Sequence, residues 1–479
     1  MNESQLKMLI NGELQDSPTT FDVINPDNGE VLAAVPDMSP AQVNDVLIGA
    51  NNAFKVWSKF SLTQREELII EYANLLESHK DEIIDLLISE TGKPFDNAEY
   101  DFGMLITCLR YFVEEAKRID QPCIVDPDGR FHHYVQRQPL GVVVGYLAWN
   151  YPLLNIGYKL GPALAAGCTV IIKPSQVTPL ATLRCAELAL EVGFPSGVIN
   201  VITSNNYAVT DPLLTSDITS LFTMIGSTAS GVNAMRTACT TVKHFSVELG
   251  GNAPVIVYDD ADIERATNDI VNLKYTNSGQ VCVSPNRCFV HESVYQQFLS
   301  LAKQKVSEIT LGTGKESSAQ KMGPLSSEKE RARILSLIES ALKDGAKLVL
   351  GGEIPKERSK GFYLEPTILE QVTTTMDIAR QEIFGPVLSV IPFTDDDDVI
   401  GLANDCEFGL AAYVYTTDLT RGLQAADDIQ AGSVCINEVH YSVQLPHGGL
   451  KQSGVGKDCS SYSLEEYLTN KRVSILVRH

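Results

Sequence analysis

Residues 141–173 read GVVVGYLAWNYPLLNIGYKLGPALAAGCTVIIK. The opening GVVVGYLA is an apolar, β-branched run of strand length, a helix follows near 153–166, and TVIIK is a second buried strand. The rhythm continues with a helix near 178–192, VINVI, a short helix, SLFTM, a helix from about 227, and HFSVEL. Apolar runs alternating with helices indicate a parallel sheet covered on both faces. From about 251 the alternation starts again, with APVIVY, RCFVHE, KLVLGG, PVLSVIPF, AAYVYT and GSVCIN as strands. The span 140–158 carries no formal charge over a bilayer-crossing length, but Asn150, Pro152, Asn155 and three glycines break it, which argues against a membrane helix.

The region before 120 reads as mainly helical. Ser39-Pro40 is a cap with proline at the first helical position. Thr63 with Glu66 fits a capping box, and 97–118 is a further helix. Asp126-Pro-Asp-Gly129 is a turn between two extended stretches, so 121–139 is expected to be a hairpin.

The 479 residues carry 60 Asp plus Glu against 38 Lys plus Arg, a net charge of -22. Such a surface repels phosphate backbones and anionic lipid, which disfavours nucleic-acid and membrane partners. The ten cysteines show no CxxC pair and no regular spacing, a pattern of reduced thiols in a cytoplasmic protein and of no metal site. The amino terminus lacks a basic segment followed by an apolar one, so no secretory signal is read.

Several residues could carry chemistry. Cys282 lies in a loop between Gly279 and Pro285, where a thiolate would be a nucleophile. Glu248 ends an apolar strand, the place where open α/β sheets bind ligands, and suits a general base. Asn150 follows a strand, and its amide would donate to a developing oxyanion. Lys173, at the end of TVIIK, would bind a ribose hydroxyl or a phosphate. Gly226-Ser-Thr-Ala-Ser-Gly231 joins a strand to a helix start, where backbone N–H groups favour phosphate. HExxH, GxSxG and GxxxxGK[ST] are absent from the sequence. Taken singly, each residue has an ordinary structural explanation: a buried thiol, a solvated carboxylate, an Asx turn. Together they supply a thiol, an oxyanion donor, a dinucleotide site and a base for water.

The stretch WNYPLLNIGYKLGPALAAGCTVIIKPSQVTPL, followed in order by GSTASG, VELGGNAP, GQVC, QEIFGPV and PHGGLKQSG, resembles the aldehyde dehydrogenase superfamily over essentially the whole chain. The resemblance implies an α/β fold with a Rossmann-like cofactor domain (1–120 and 140–250), an α/β catalytic domain (251–450) and a β oligomerisation arm (121–139 and 459–479). It implies that Cys282 is the nucleophile and Glu248 the base for thioester hydrolysis. Asn150 and the Cys282 backbone N–H would form the oxyanion hole. Lys173 and Glu382 would hold the cofactor riboses, Phe384 would lie beside the nicotinamide ribose, and Ser227 with Gly226 would meet the pyrophosphate. Trp149, Ser175, Gln176 and Leu249 would be further cofactor contacts. NAD is the expected cofactor. Gln176, where NAD-preferring members often have Glu, leaves NADP open. Met224 and Ile225, between Thr223 and Gly226, depart from the family's Phe-Thr-Gly-Ser-Thr and suggest an altered turn. A homodimer or homotetramer is expected.

Positions lining the substrate tunnel in similar enzymes are here Met104, Tyr151, Asn155, Tyr158, Thr276, His440, Tyr441 and His447. Their hydroxyl, amide and imidazole groups point to a small polar aldehyde. Glu438 would face an ammonium in an aminoaldehyde; His440 and His447 would suit an anion, as in a semialdehyde or sulfolactaldehyde. The arginine that semialdehyde enzymes often carry after the Asn motif is replaced by Tyr158. A cysteine acyltransferase or esterase and a catalytically silent relative are the alternatives.

Overall fold

The computed structural model describes residues 6–314 and 321–477. Its centre is an eight-stranded sheet whose parallel strands run Ile199–Val201, Thr169–Lys173, Val142–Tyr146, Thr219–Ile225 and His244–Glu248 in spatial order. The chain therefore starts in the middle, winds one way, and returns to wind the other. That is the doubly wound order, and it opens a crevice beyond the carboxyl ends of Val142–Tyr146 and Thr219–Ile225. Tyr146, Lys173, Ile225 and Glu248 are each the last residue of a parallel strand of this sheet. Alternate residues explain the long apolar runs. Val143, Val170, Ile172 and Leu221 pack into one core, and Val142, Val144, Ile171 and Phe222 into another on the opposite face.

The second half builds a seven-stranded sheet. Ala253–Val257, Pro285–His291, Val387–Phe393, Ala411–Tyr415 and Ser433–Ile436 are parallel within it. It too has a core on each face. The sequence reading lacks one member, Thr367–Glu370, a four-residue strand parallel to Val387–Phe393.

The hairpin at 121–139 is present. Cys123–Ile124 pairs with Phe131–Pro139 around a turn in which Gly129 N–H donates to the Asp126 carbonyl. The carboxyl-terminal strand Leu468–Leu476 adds to its other side. Residues 459–467 behave differently from that strand: Cys459, Leu464 and Tyr467 are buried in the core of the first sheet.

Four expectations before residue 120 change. Residues 8–37 hold four short strands, and Met8–Ile10 with Glu13–Gln15 extends the large sheet. The cap of the second helix is Ser61 with Gln64, not Thr63 with Glu66. Two S/T-x-x-E/Q patterns overlap there, and the earlier one wins because it starts the helix at Leu62, which packs on the core. A helix over Lys80–Thr91 abuts the one before it through His79. The helix expected over 97–118 spans Phe95–Ala116 and is the fourth in the chain.

Buried carboxylates seat the helices that follow the strands. Glu90 accepts from the N–H groups of Leu180 (2.6 Å) and Ala181 (3.0 Å). Asp101 accepts from Leu154 N–H (2.7 Å) and pairs with Lys93 (2.6 Å). Burial pushes the Glu90 carboxyl up to about 8, with Asp101 adding to it and the backbone donors opposing. Glu90→Ala leaves two buried donors unpaired and is expected to cost about 2–3 kcal/mol in denaturant melts. The sign of the pH effect follows from linkage. Between the ordinary carboxyl value and about 8, the folded chain keeps a proton that the unfolded chain releases. Stability from this group therefore falls as pH rises through that window. Glu90→Gln should remove that slope, which melts at about pH 5 and pH 8 would reveal.

Candidate active site

A cavity of about 400 Å³ opens where the two sheets face each other. Its wall includes Cys282, Glu248 and Asn150, which come from three separate segments. The loop that carries Cys282 is set by unusual backbone. Asn277, Ser278 and Gly279 take φ of 49°, 59° and 71° in succession. A Cβ at Gly279 would lie 2.1 Å from the Gly385 carbonyl oxygen, so only glycine fits. Gly251 allows another close approach, since a Cβ there would meet the Cys282 carbonyl oxygen at 2.2 Å.

Side-chain amides stitch this loop to the Asn150 turn. Asn150 Nδ2 donates to the Gln280 carbonyl (3.1 Å), and Asn277 Nδ2 donates to the Asn150 carbonyl (3.1 Å). One hydrogen of the Asn150 amide is thus committed, which leaves the other for a ligand. Asn155 Nδ2 donates to the Ala148 carbonyl (3.1 Å) and holds the same turn from the helix side.

Cys282 Sγ, a carboxylate oxygen of Glu248 and a ring nitrogen of His447 lie within 4.8 Å of one another. The His447 Nε2 to Glu248 Oε1 distance is 3.7 Å. The His447 ring is packed by Tyr441 (centroids 5.5 Å) and Tyr158 (6.3 Å). Its backbone exchanges hydrogen bonds with Asp458 at 2.7 and 2.6 Å, and Asp458 in turn holds the buried Lys159 ammonium at 2.6 Å. Burial pushes the Cys282 thiol well above its ordinary range, and the nearby charges of Glu248 and Glu382 push it further. The thiol of the free chain is therefore neutral, with Glu248 beside it as an acceptor for its proton.

Residues suited to an anionic dinucleotide lie at the same strand ends. Lys173 is 4% exposed, and its ammonium sits over the rings of Tyr207 (4.8 Å) and Tyr146 (5.4 Å). Among the described residues it has no carboxylate at ion-pair distance, and burial pulls it down to about 8. A buried cation without a carboxylate partner among the described residues fits a phosphate or ribose ligand. Ser175 and Gln176 are half-buried in the turn that follows. Ser227 caps the Thr228–Ala238 helix, whose first N–H groups lie beyond Gly226. Leu249 packs against Gly231 of that helix. Glu382 accepts from Gly251 N–H (2.8 Å), and burial pushes its carboxyl up to about 7. Trp149 meets Phe384 edge to face at 5.3 Å. These residues fit a nicotinamide dinucleotide.

Tyr151, Asn155, Tyr158, Thr276, His440, Tyr441 and His447 all line the cavity, as expected. Three expectations need correction. Met104 is not in that wall; it packs against the core of the first sheet. Glu438 is turned away to Arg265, with Oε2 3.4 Å from Nη2, so it faces no substrate ammonium. Met224 and Ile225 do not alter the turn before Gly226. They continue the strand in register with Val247 and Glu248, and Ile225 reaches the cavity. Tyr100 and Tyr413 also line the wall without a signal in the sequence. The Tyr413 hydroxyl donates to the Val283 carbonyl (2.9 Å), and the AAYVYT alternation points it there only once the sheet's partner is known.

A sequence model of the aldehyde dehydrogenase family matches residues 14–473. The chain belongs to the aldehyde dehydrogenase family. It is 40% identical to a mitochondrial succinate-semialdehyde dehydrogenase of Oryza sativa, over 97% of this chain and 88% of that protein. It is 38% identical to the succinate-semialdehyde dehydrogenase (NADP+) of Escherichia coli K12, over 99% of both. The crystal structure of betaine aldehyde dehydrogenase from Staphylococcus aureus in complex with NAD+ superposes with a TM-score of 0.94 at 34% identity, covering 98% of this chain and 94% of that one. As a member of the aldehyde dehydrogenase family, this chain is an oxidoreductase acting on aldehydes.

Proposed function

We propose that the chain oxidises a small, polar, uncharged aldehyde to its carboxylic acid through a thioester on Cys282. The observation that carries this reading is the meeting of Cys282, Glu248 and Asn150 in one cavity. Cys282 Sγ attacks the aldehyde carbon, and the thiol proton passes to Glu248. The second hydrogen of Asn150 Nδ2 and the Cys282 N–H hold the carbonyl oxygen as charge develops on it. A bound nicotinamide dinucleotide would supply the hydride acceptor needed to oxidise the thiohemiacetal to a thioester. Lys173 and Ser227 bind its anionic part, Glu382 a ribose, and Phe384 against Trp149 shapes the ring side. Trp149, Ser175, Gln176, Gly226 and Leu249 complete that surface. Glu248 releases the thiol's proton to solvent and then takes a proton from water, the hydroxide oxygen bonds to the acyl carbon, and the C–S bond breaks to release the acid, the departing thiolate regaining a proton from Glu248.

The cavity wall favours an uncharged substrate. Among the described lining residues none is Lys or Arg. Glu438 is turned to Arg265, and Glu248, the carboxylate on the wall, is committed as the base. Recognition falls to Tyr151, Tyr158, His440 and His447, which offer hydroxyl and imidazole groups. The test is an aldehyde panel followed by NADH and NADPH absorbance. Hydroxyaldehydes are expected to exceed succinate semialdehyde and betaine aldehyde in kcat/KM by at least about tenfold, the scale of one or two polar contacts. A semialdehyde preference would make the two histidines an anion site and overturn the uncharged reading. Absence of reduced cofactor with every aldehyde would favour an acyltransferase.

The chain works as a homodimer or homotetramer joined through the three-stranded sheet at 123–139 and 468–476. Ile124, Val125, Phe131, Ile475 and Leu476 are exposed there, and the Leu468–Leu476 strand has a free edge. A reducing cytoplasm suits its cysteines, all of them free thiols. No described helix is long and apolar enough to cross a membrane.

A further inference from the structure

We propose that Cys282, Glu248 and His447 form an inhibitory Zn2+ site on the cavity wall. No local spacing motif announces it, because the three residues come from segments far apart in the chain. The three donor atoms lie within 4.8 Å of one another, and the carboxylate and imidazole are already 3.7 Å apart. A tetrahedral zinc needs its ligands about 3.3–3.6 Å apart, with bonds of about 2.0–2.3 Å. Small side-chain rotations cover the difference.

The surroundings favour a cation. Glu248 Oε1 is buried and has no hydrogen-bond partner, so one lone-pair set faces the gap between the three groups. The Lys159 ammonium does not compete, because Asp458 engages it with both oxygens at 2.6 and 2.8 Å. His447 is held from behind by its backbone pairing with Asp458, and from the sides by Tyr158 and Tyr441. A thiolate, a carboxylate and a neutral imidazole together cancel the charge of a divalent ion. The thiolate and imidazole select zinc over magnesium or calcium. Three protein ligands leave a fourth position open to the cavity for water. On binding, the Cys282 S–H bond breaks, the Zn–S bond forms, and the proton leaves to the buffer. The nucleophile and the base are then both occupied, so the chain is inactive until the ion is removed.

The test uses the full chain with Zn2+ itself, read by calorimetry and by competition with a chromogenic chelator. Binding is expected at one equivalent per chain, with loss of dehydrogenase activity that EDTA reverses and Mg2+ does not produce. Co2+ in place of Zn2+ should give a thiolate-to-metal charge-transfer band that is missing in Cys282→Ala. His447→Asn and Cys282→Ala should each weaken Zn2+ binding by at least the 10–100-fold that even an outer-shell partner is worth. Both variants are checked for unchanged melting. Unweakened Zn2+ binding in His447→Asn, or no binding by the wild type, overturns the proposal. The readout is metal on protein, so it stands apart from whether any aldehyde is turned over.

Discussion

Cys282→Ala is expected to lower kcat/KM for any aldehyde by on the order of 10⁴-fold or more, the scale seen when a covalent nucleophile is removed. The size follows from the division of labour. Without the sulfur there is no tetrahedral adduct from which the cofactor can accept electrons, and Asn150 has no oxyanion to hold. Cys435 also lines the cavity, but neither Glu248 nor Asn150 is arranged around it, so Cys435→Ala should retain activity within about threefold. Steady-state NADH formation across the two variants checks this. Equal loss in both, or retained turnover in Cys282→Ala, would remove Cys282 from the nucleophile role. Alkylation supplies a second readout. Burial and the Glu248 and Glu382 charges push the Cys282 thiol up, so iodoacetamide labelling of Cys282 itself, read by peptide mass spectrometry, should rise steeply only at alkaline pH.

Glu248→Gln is expected to give a slowed burst of about one NADH per active chain, because the thiol proton must then leave to water, and then to stall. The amide keeps the shape of the carboxylate but cannot take a proton from water, so the thioester accumulates and its hydrolysis slows by roughly 10²–10⁴-fold. Rapid-mixing absorbance separates the burst from the steady rate, and mass spectrometry would find the acyl group on Cys282. Full steady turnover in this variant would move the base role elsewhere. The same substitution carries a sign that a mere packing role would not. Removing a negative charge beside the thiol should shift Cys282 alkylation to lower pH, since Glu248 is the nearest charge raising it.

Much of the architecture is legible because both sheets are buried on two faces. Such strands must be apolar at every position, which is why GVVVGY, TVIIK and APVIV stand out without any neighbour. The strands that escape notice are short or half-exposed. Met8–Ile10 is three residues long, and Thr367–Glu370 is four and follows a proline. Neither is long enough to show a period. The overlap of Ser61-x-x-Gln64 with Thr63-x-x-Glu66 is a further case. Local chemistry permits both caps, and the burial of Leu62 chooses between them.

The active-site residues divide in the same way. Cys282, Glu248 and Asn150 can be named from the chain alone, because each sits in a loop or strand end whose glycines and prolines constrain the backbone. Their meeting is a tertiary fact. Glu248 ends a strand of the first sheet, Cys282 lies in a loop before a strand of the second, and His447 lies in a segment that returns to the first. Side-chain direction is likewise invisible in one dimension. Nothing around Glu438 announces that Arg265 draws it away from the substrate, and nothing around His447 announces Glu248 at 3.7 Å. Residue identity and hydrophobic period set the layers and the candidate reactive residues, because burial and backbone sterics act locally. Strand order, the direction of Glu438 and the meeting of Glu248 with Cys282 and His447 depend on how the chain packs in three dimensions, because packing and electrostatics act through space.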